Sequence, residues 1–291
     1  MKNPIVRVVT SDKLDLYGVL LGAKKKKAII INIHGTADNF YDNKFVWQIA
    51  AAVTPLNVAL LSANNRGAYS LEFYDYGEGV CRNSGAAVEI FEKCVADIDA
   101  WVEYALSLGY QKIILEGHSL GTEKIVYYMN KGKYRHKIAA VILLGFSDSF
   151  GTHQEFLKGC RVNLMAEAKS LVKAGKGQQF LTKRWLAHAG VLPQSAVSYI
   201  NFFSQDSELS KALPLRQGKG LLMYRKIKVP ILGIIGDQEE YTVVAQDEAI
   251  ANLRAENKLA EIYQLKNCDH CFSNQEKILA DLIRKFLKKN I

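Results

Sequence analysis

Residues 117–121 combine a potential nucleophile with the small neighbours that such a group needs. Ser119 stands midway between Gly117 and Gly121 in the pattern G-x-S-x-G. A serine held in a strained turn requires residues without a Cβ two positions away on each side, because a strand and a helix approach each other closely there. An apolar run over residues 113–115 precedes the pattern, and an amphipathic stretch over residues 123–129 follows it. The sequence therefore predicts strand, sharp turn and helix, with Ser119 as a nucleophile.

A serine nucleophile needs a base within hydrogen-bond reach and a group that orients that base. His270 comes soon after the last predicted strand, residues 260–265, and is the predicted base. Asp237 follows an apolar strand and a glycine, so we expect its carboxylate to lie at the carboxyl edge of the sheet and to orient His270. Asp148, just beyond the strand over residues 138–144, is the alternative acid, and a turn or capping role is the alternative for Asp237.

The order Ser119, Asp237, His270 along the chain, with G-x-S-x-G between a strand and a helix, resembles the α/β-hydrolase family. The resemblance implies a catalytic triad and hydrolysis of a carboxylic ester through an acyl-enzyme intermediate. A thioesterase or amidase using the same residues, or a non-catalytic binding protein of this fold, is the alternative. The Asn-Asn-Arg-Gly sequence at residues 64–67 and the serine turn are also similar to microbial siderophore esterase-type hydrolases.

The resemblance also implies an oxyanion hole, which is a pair of backbone N–H groups that bind the developing negative charge. One donor is the N–H of Thr36, in the sequence His34-Gly35-Thr36 after a buried strand. The other is the N–H of Leu120, directly after the nucleophile.

The elements that must position these residues alternate between apolar strands and amphipathic helices. Two extended stretches over residues 5–10 and 14–21 predict an antiparallel hairpin. The apolar run over residues 28–33 is typical of a strand that helices cover on both faces. Long helices are expected over residues 39–53 and 86–108. We therefore predict an α/β-hydrolase fold with a mostly parallel eight-stranded sheet flanked by helices and an inserted helical cap.

The alternation stops at residue 151 and resumes at residue 229, which predicts a core of residues 1–150 and 229–291 and a helical cap of residues 151–228. Helices are expected in the cap over residues 153–172, 180–188 and 196–203. The cap contains nine lysines and four arginines against four acidic residues, a net charge of +9 that equals that of the whole chain. This charge either forms a solvated outer face or faces the pocket, where it would favour an anionic ester.

Five cysteines at irregular spacing argue against a disulfide framework. Cys268 and Cys271 flank His270, but no second pair of ligands accompanies them, so no metal is expected. No phosphate-binding glycine loop is visible, and we expect no cofactor. The sequence lacks both an apolar stretch of ~20 residues and an apolar signal core near its start, which predicts a cytoplasmic protein. The expected partner is a small-molecule ester, with no nucleic acid, and the oligomeric state stays open.

Overall fold

The computed structural model describes residues 4–22, 27–75, 81–182, 185–187, 190–238 and 240–291. Its strands, in chain order, are β1 Ile5–Val9, β2 Asp15–Leu21, β3 Ala28–Ile33, β4 Val58–Ala63, β5 Glu72–Asp75, β6 Cys81–Ser84, β7 Lys112–His118, β8 Ile138–Leu144, β9 Trp185–Ala187, β10 Gly190–Leu192, β11 Ile231–Ile235 and β12 Ala260–Gln264. Its α-helices are α1 Lys44–Val53, α2 Cys94–Ser107, α3 Leu120–Lys131, α4 Ser149–Lys158, α5 Leu164–Lys173, α6 Ala196–Phe203, α7 Glu208–Ala212, α8 Leu222–Arg225, α9 Gln246–Glu256 and α10 Glu276–Asn290.

Eight of the strands form one sheet in the order β1-β2-β4-β3-β7-β8-β11-β12. The pairs β1–β2 and β2–β4 are antiparallel, and every pairing from β4 to β12 is parallel. All residues of β3 and β4 are buried, as expected for strands covered on both faces. The predicted fold class, a mostly parallel eight-stranded sheet flanked by helices, is confirmed.

Helices cover the two faces of the sheet and create two cores. On one face α1 and α10 pack around residues such as Phe45 and Ile30. On the other face α2, α3 and α9 enclose Trp101 and Ile31. Neighbouring residues of β3 therefore enter different cores, because side chains alternate across a strand. The carboxyl ends of the parallel strands meet at one edge, where the loops that carry functional groups begin.

Helix α2 begins later than its apolar pattern predicts, at Cys94 instead of residue 86. The residues before it bond to the inserted segment instead of to their own helix. The Ala87 carbonyl accepts the Ser195 N–H at 2.8 Å, and the Glu89 carbonyl accepts the Ser198 hydroxyl at 2.7 Å. Tertiary hydrogen bonds thus replace the first turns of the predicted helix.

The segment between β8 and β11, predicted as the cap, contains α4 to α8 and a short hairpin of β9 and β10. The predicted helix over residues 180–188 is wrong, since Phe180 forms an antiparallel bridge with Ser195 and β9 lies inside that range. Residues 183–184 and 188–189 of that prediction lie outside the described residues. The helix predicted over residues 153–172 is divided into α4 and α5.

This inserted segment packs directly on the part of the core that carries Ser119. Phe203 and Tyr199 of α6 share a buried cluster with Phe91 and with Leu120, the residue after Ser119. The segment therefore forms one wall of the space in front of the serine. Within the described ranges, none of the helices has both the length and the apolarity needed to cross a bilayer.

Candidate active site

Ser119 lies in the turn between β7 and α3, with φ 55° and ψ −128°. A positive φ is unusual for a residue with a Cβ and stores strain that surrounding contacts must hold. Its N–H donates to the Leu144 carbonyl at 3.0 Å, and its own carbonyl accepts the Thr122 N–H at 2.8 Å. A Cβ on Gly117 would lie 2.5 Å from the Gly121 carbonyl oxygen, so the strand and helix meet only because glycine stands there. The predicted strand, turn and helix are confirmed.

The loop after β3 lies against this turn. A Cβ on Gly35 would lie only 2.8 Å from the Cβ of Ser119, so the backbone of the loop touches the serine side chain. Thr36 and Leu120 line the same narrow cavity. Leu120 is the first residue of α3, and the N–H groups of the first helical turn have no acceptor within the helix. The two N–H groups predicted to bind an oxyanion thus belong to residues that border one space beside Ser119.

His270 contacts the carboxylate of Glu240, which is neither of the two predicted acids. Its Nδ1 lies 2.6 Å from Oε2 of Glu240, and both side chains are buried. The other oxygen of Glu240 accepts the Gly236 N–H at 2.8 Å, which fixes the carboxylate. A carboxylate on Nδ1 keeps the proton on that nitrogen, so Nε2 presents its lone pair. The residue positioned to orient His270 is therefore Glu240.

The expectation that Asp237 orients His270 is corrected by this geometry. Asp237 does follow β11, but its carboxylate accepts the backbone N–H of Cys268 at 3.1 Å. That N–H is the largest cause that holds the pKa of Asp237 below its ordinary value. The N–H groups of Asp237 and Gln238 both donate to the Cys268 carbonyl, which turns the Asp237 side chain toward the backbone of the neighbouring loop. Asp237 thus bonds to the backbone of the loop that carries His270.

Asp148, the alternative acid, bonds to groups of the inserted segment. It caps α4 by accepting the Gly151 N–H at 2.8 Å, and it pairs with the Arg216 guanidinium at 2.6 Å. Burial raises its pKa, which Arg216 opposes. Its role in this structure is to join the start of the inserted segment to the segment's later part.

Three groups hold the His270 ring in place at the edge of the sheet. A Cβ on Gly145 would lie 2.9 Å from Cε1 of the ring, and Gly145 directly follows Leu144, which binds the Ser119 N–H. Tyr241 packs edge-on against the ring at 4.8 Å, and Nε2–H of His118 donates to the His270 carbonyl at 2.9 Å. Burial lowers the pKa of His270 to about 4, so the ring is neutral at pH 7 and able to accept a proton.

Glu240 could have been found from the sequence if every acidic residue after β11 were considered as a partner of His270. The sequence after β11 contains three acidic residues, Asp237, Glu239 and Glu240, and the predicted acid, Asp237, is the one nearest the strand. Distance along the chain does not determine which side chain turns inward. Glu239 lies outside the described residues.

The cavity beside Ser119 has mostly apolar walls. Leu192, Phe202 and Phe203 of the inserted segment line it, together with Gln194 and the acidic residue Glu89. The described basic residues of the segment do not border this cavity. Arg216 is half-buried on Asp148, and the others are exposed: Lys158, Arg161, Lys169, Lys173, Lys176, Lys211, Lys219, Arg225, Lys226 and Lys228. The positive charge of these residues therefore faces solvent, which was one of the two predicted arrangements.

Residues 12–258 match the family described as "Protein of unknown function (DUF1749)", and the chain belongs to that family. No curated protein sequence matches the chain.

Solved structures of similar architecture include several hydrolases. Est1E from Butyrivibrio proteoclasticus superposes with a TM-score of 0.67 at 16% identity over 99% of each chain. A soluble variant of monoglyceride lipase from Saccharomyces cerevisiae gives a TM-score of 0.69 at 13% identity, covering 100% of this chain and 96% of that one. Carboxylesterase CesB from Bacillus subtilis gives a TM-score of 0.58 at 16% identity, covering 100% of this chain and 93% of that one. At these identities the likeness establishes an α/β-hydrolase fold.

Proposed function

We propose that this member of the DUF1749 family is a serine hydrolase that cleaves the carboxylic ester of a small molecule through an acyl-enzyme intermediate. The observation that carries the proposal is the buried contact of Glu240 with His270, at the same sheet edge as the strained Ser119 turn. A binding protein has no need of a histidine oriented by a buried carboxylate beside such a serine. The esterase and lipase names among the solved structures of this fold support the same class.

In the proposed first step, Nε2 of His270 takes the hydroxyl proton of Ser119 while Oγ bonds to the ester carbonyl carbon. The carbonyl oxygen becomes an oxyanion that accepts hydrogen bonds from the Thr36 and Leu120 N–H groups. Collapse of this intermediate breaks the bond to the alcohol oxygen, and the imidazolium returns the proton to the leaving alcohol. Glu240 stabilises the imidazolium while it exists.

The second step releases the acyl group by the same chemistry. A water molecule gives its proton to His270 and attacks the acyl carbon, and the Ser119 oxygen leaves with the proton that the imidazolium returns. The products are a carboxylic acid and the free serine. One water molecule is consumed overall, with its hydroxyl group ending on the acyl carbon and its other proton on Ser119, so the balance requires neither a redox partner nor a nucleotide.

We propose that the preferred ester is neutral, with an apolar group next to the carbonyl. Leu192, Phe202 and Phe203 supply apolar walls near Thr36 and Leu120, so an apolar group next to the carbonyl would bury apolar surface against them. The exposed basic residues of the inserted segment give an anionic ester no direct partner in this cavity. The narrower similarity to siderophore esterase-type hydrolases, and a thioester or amide as substrate, remain predictions.

The test combines active-site labelling with turnover. Wild-type protein should react with a fluorophosphonate probe and hydrolyse neutral p-nitrophenyl esters, and Ser119→Ala should lose labelling and at least ~10⁴ of the rate while its melting temperature is kept. Ser107→Ala is a matched control, because Ser107 is exposed at the end of α2. A wild-type protein that neither reacts with the probe nor cleaves any ester, thioester or amide would make the chain a binding protein.

A further inference from the structure

A buried ion pair lies behind the candidate oxyanion hole and has no role in the steps above. Nζ of Lys124 lies 2.6 Å from Oε1 of Glu89, with side chains 0% and 1% exposed. Taking two charges out of water is costly, and an apolar pair of similar volume is often as stable. Stability alone is therefore a weak explanation for a lysine and a glutamate in this place.

The ion pair connects to the loop after β3 through Asn65. Lys124 Nζ donates to Oδ1 of Asn65 at 2.8 Å, and the same oxygen accepts the Gly67 N–H at 2.9 Å. The backbone N–H of Asn65 donates to Nε2 of His34 at 3.1 Å, and its side-chain amide donates to the His34 carbonyl at 3.3 Å. Asn65 thus holds His34 by two bonds while Lys124 holds Asn65.

The His34 ring in turn bonds to the backbone of Gly35. Since Nε2 accepts from Asn65, the ring proton is on Nδ1, which donates to the Gly35 carbonyl at 2.9 Å. Burial lowers the pKa of His34 to about 4, so the ring keeps one donor and one acceptor at neutral pH. Gly35 is the residue whose backbone touches Ser119, and Thr36 follows it.

The two ends of this chain of bonds belong to the two halves of the oxyanion hole. Lys124 lies on α3, which begins at Leu120, and His34 begins the loop that presents Thr36. Glu89 also lines the cavity that Thr36 and Leu120 border. A hydrogen-bonded path thus runs from α3 to the loop after β3.

We infer that Lys124, held by Glu89, is a positioning residue that fixes the oxyanion loop, defined as residues 34–36, through Asn65. The inference rests on the proposed hydrolase function and assigns to the ion pair a share in transition-state binding. A misplacement of about 1 Å at a catalytic site can cost ~10² in rate. The oxyanion forms only during the reaction, so substrate binding beforehand does not depend on the exact placement of the two N–H donors. A misplaced loop should therefore lower kcat and leave KM nearly unchanged.

The experiment compares three variants with a control on the same helix. Asn65→Ala keeps the ion pair and removes its link to the loop. Lys124→Met removes the cation but leaves a buried carboxylate, so the double change Glu89→Gln with Lys124→Met, which removes both charges, is measured beside it. Lys131→Met is the matched control, because Lys131 is an exposed lysine at the end of α3. Active sites are titrated with the fluorophosphonate so that kcat refers to folded protein.

We expect Asn65→Ala and the double variant to lose about 10-fold to 100-fold in kcat per titrated site, with KM within about threefold of wild type. Affinity for a trifluoromethyl ketone, which forms an oxyanion on the serine, should fall by the same factor as kcat. Lys131→Met should match wild type. Both variants turning over at the wild-type rate per site, with unchanged ketone affinity, would overturn the inference and reduce the pair to a packing role.

A second readout needs no catalysis and separates this inference from the proposed function. The ring nitrogens of His34 report their hydrogen bonds through ¹⁵N chemical shifts in labelled protein. We expect these shifts to change in the double variant, since Asn65, which bonds to His34, loses its hydrogen bond from Lys124. If the wild type proves not to be a hydrolase, the proposed function fails. Unchanged His34 shifts in the double variant would instead contradict the link from Lys124 through Asn65 to the oxyanion loop.

Discussion

The serine turn at residues 117–121 and the loop after β11, of which residues 236–238 and 240 are described, lie at the same edge of the sheet but are specified differently by the sequence. The turn combines backbone hydrogen bonds, such as the one from the Ser119 N–H to the Leu144 carbonyl, with close backbone packing at Gly117 and Gly121, where a Cβ would clash. The loop after β11 also has a glycine, Gly236, at which a Cβ would clash with the Cys268 carbonyl oxygen. The directions of its acidic side chains are set by hydrogen bonds, from the Gly236 N–H to Glu240 and from the Cys268 N–H to Asp237. The glycine spacing of the turn is visible in the sequence, whereas the contacts that direct Asp237 and Glu240 involve Cys268 and His270, which are distant along the chain.

The largest change in kcat is expected when Glu240 is substituted, and Asp237 in the same loop serves as the comparison. Glu240→Gln should lower kcat by ~10² to ~10⁴, because an amide neither stabilises the imidazolium nor favours the required tautomer. Asp237→Asn should change kcat by less than about threefold, since its amide oxygen can still accept the Cys268 N–H. Steady-state kinetics on a neutral p-nitrophenyl ester measure both.

The two substitutions are matched, because each removes one charge and keeps the shape of the side chain. Equal melting temperatures would show that both variants are folded. If Asp237→Asn were the more damaging change, Glu240 would lose its assigned role and the original expectation for Asp237 would return.

An intermediate effect is expected at the serine turn. A Cβ on Gly121 would clash with the Ile33 carbonyl oxygen, so Gly121→Ala should cost ~1–3 kcal/mol of unfolding free energy. The displaced turn should also lower kcat by ~10-fold to ~100-fold. Denaturant unfolding and turnover on the same preparation measure the two effects.

Gly22→Ala is the control for this change, because a Cβ there would meet no atom within 4 Å. It should leave both stability and kcat near the wild-type values. A Gly121→Ala protein as stable and active as Gly22→Ala would mean that backbone packing does not hold the turn.

The smallest effect is expected in the pH dependence of kcat/KM. As the proposed base, His270 would accept a proton only when neutral, so activity should rise as pH increases through its pKa. Because burial lowers this pKa from 6.5 to about 4, activity should change little between pH 6 and pH 8. A histidine with an ordinary pKa would be about fourfold less active at pH 6 than at pH 8.

Glu240→Gln sharpens this measurement. Loss of the carboxylate removes a charge that favours the imidazolium, so the acid limb should move further down in pH. A wild-type profile that falls by half near pH 6.5 would contradict the description of His270 as a base kept neutral by burial.

Much of the architecture could be predicted from local patterns. The apolar runs of β3, β7 and β8 indicate strands buried on both faces, and each is one. The position of His270 after the last strand also follows from pattern, because parallel strands deliver their loops to one edge. The start of α2 could not be predicted, since its expected first turns bond to residues 195 and 198 of the inserted segment. The helix predicted over residues 180–188 failed for a similar reason, because a bridge to Ser195 competes with helical pairing.

The sequence by itself determined the sheet, the turn at Ser119 and the place of His270, because apolar periodicity and glycine spacing act over a few residues and depend little on the rest of the chain. Only the tertiary structure decided which acid meets His270. Asp237 and Glu240 are three residues apart, and hydrogen bonds to the loop around Cys268 turn one away and the other inward. It also decided that the charge of the described basic residues in the inserted segment faces solvent, since the direction of a side chain is set by what packs behind it.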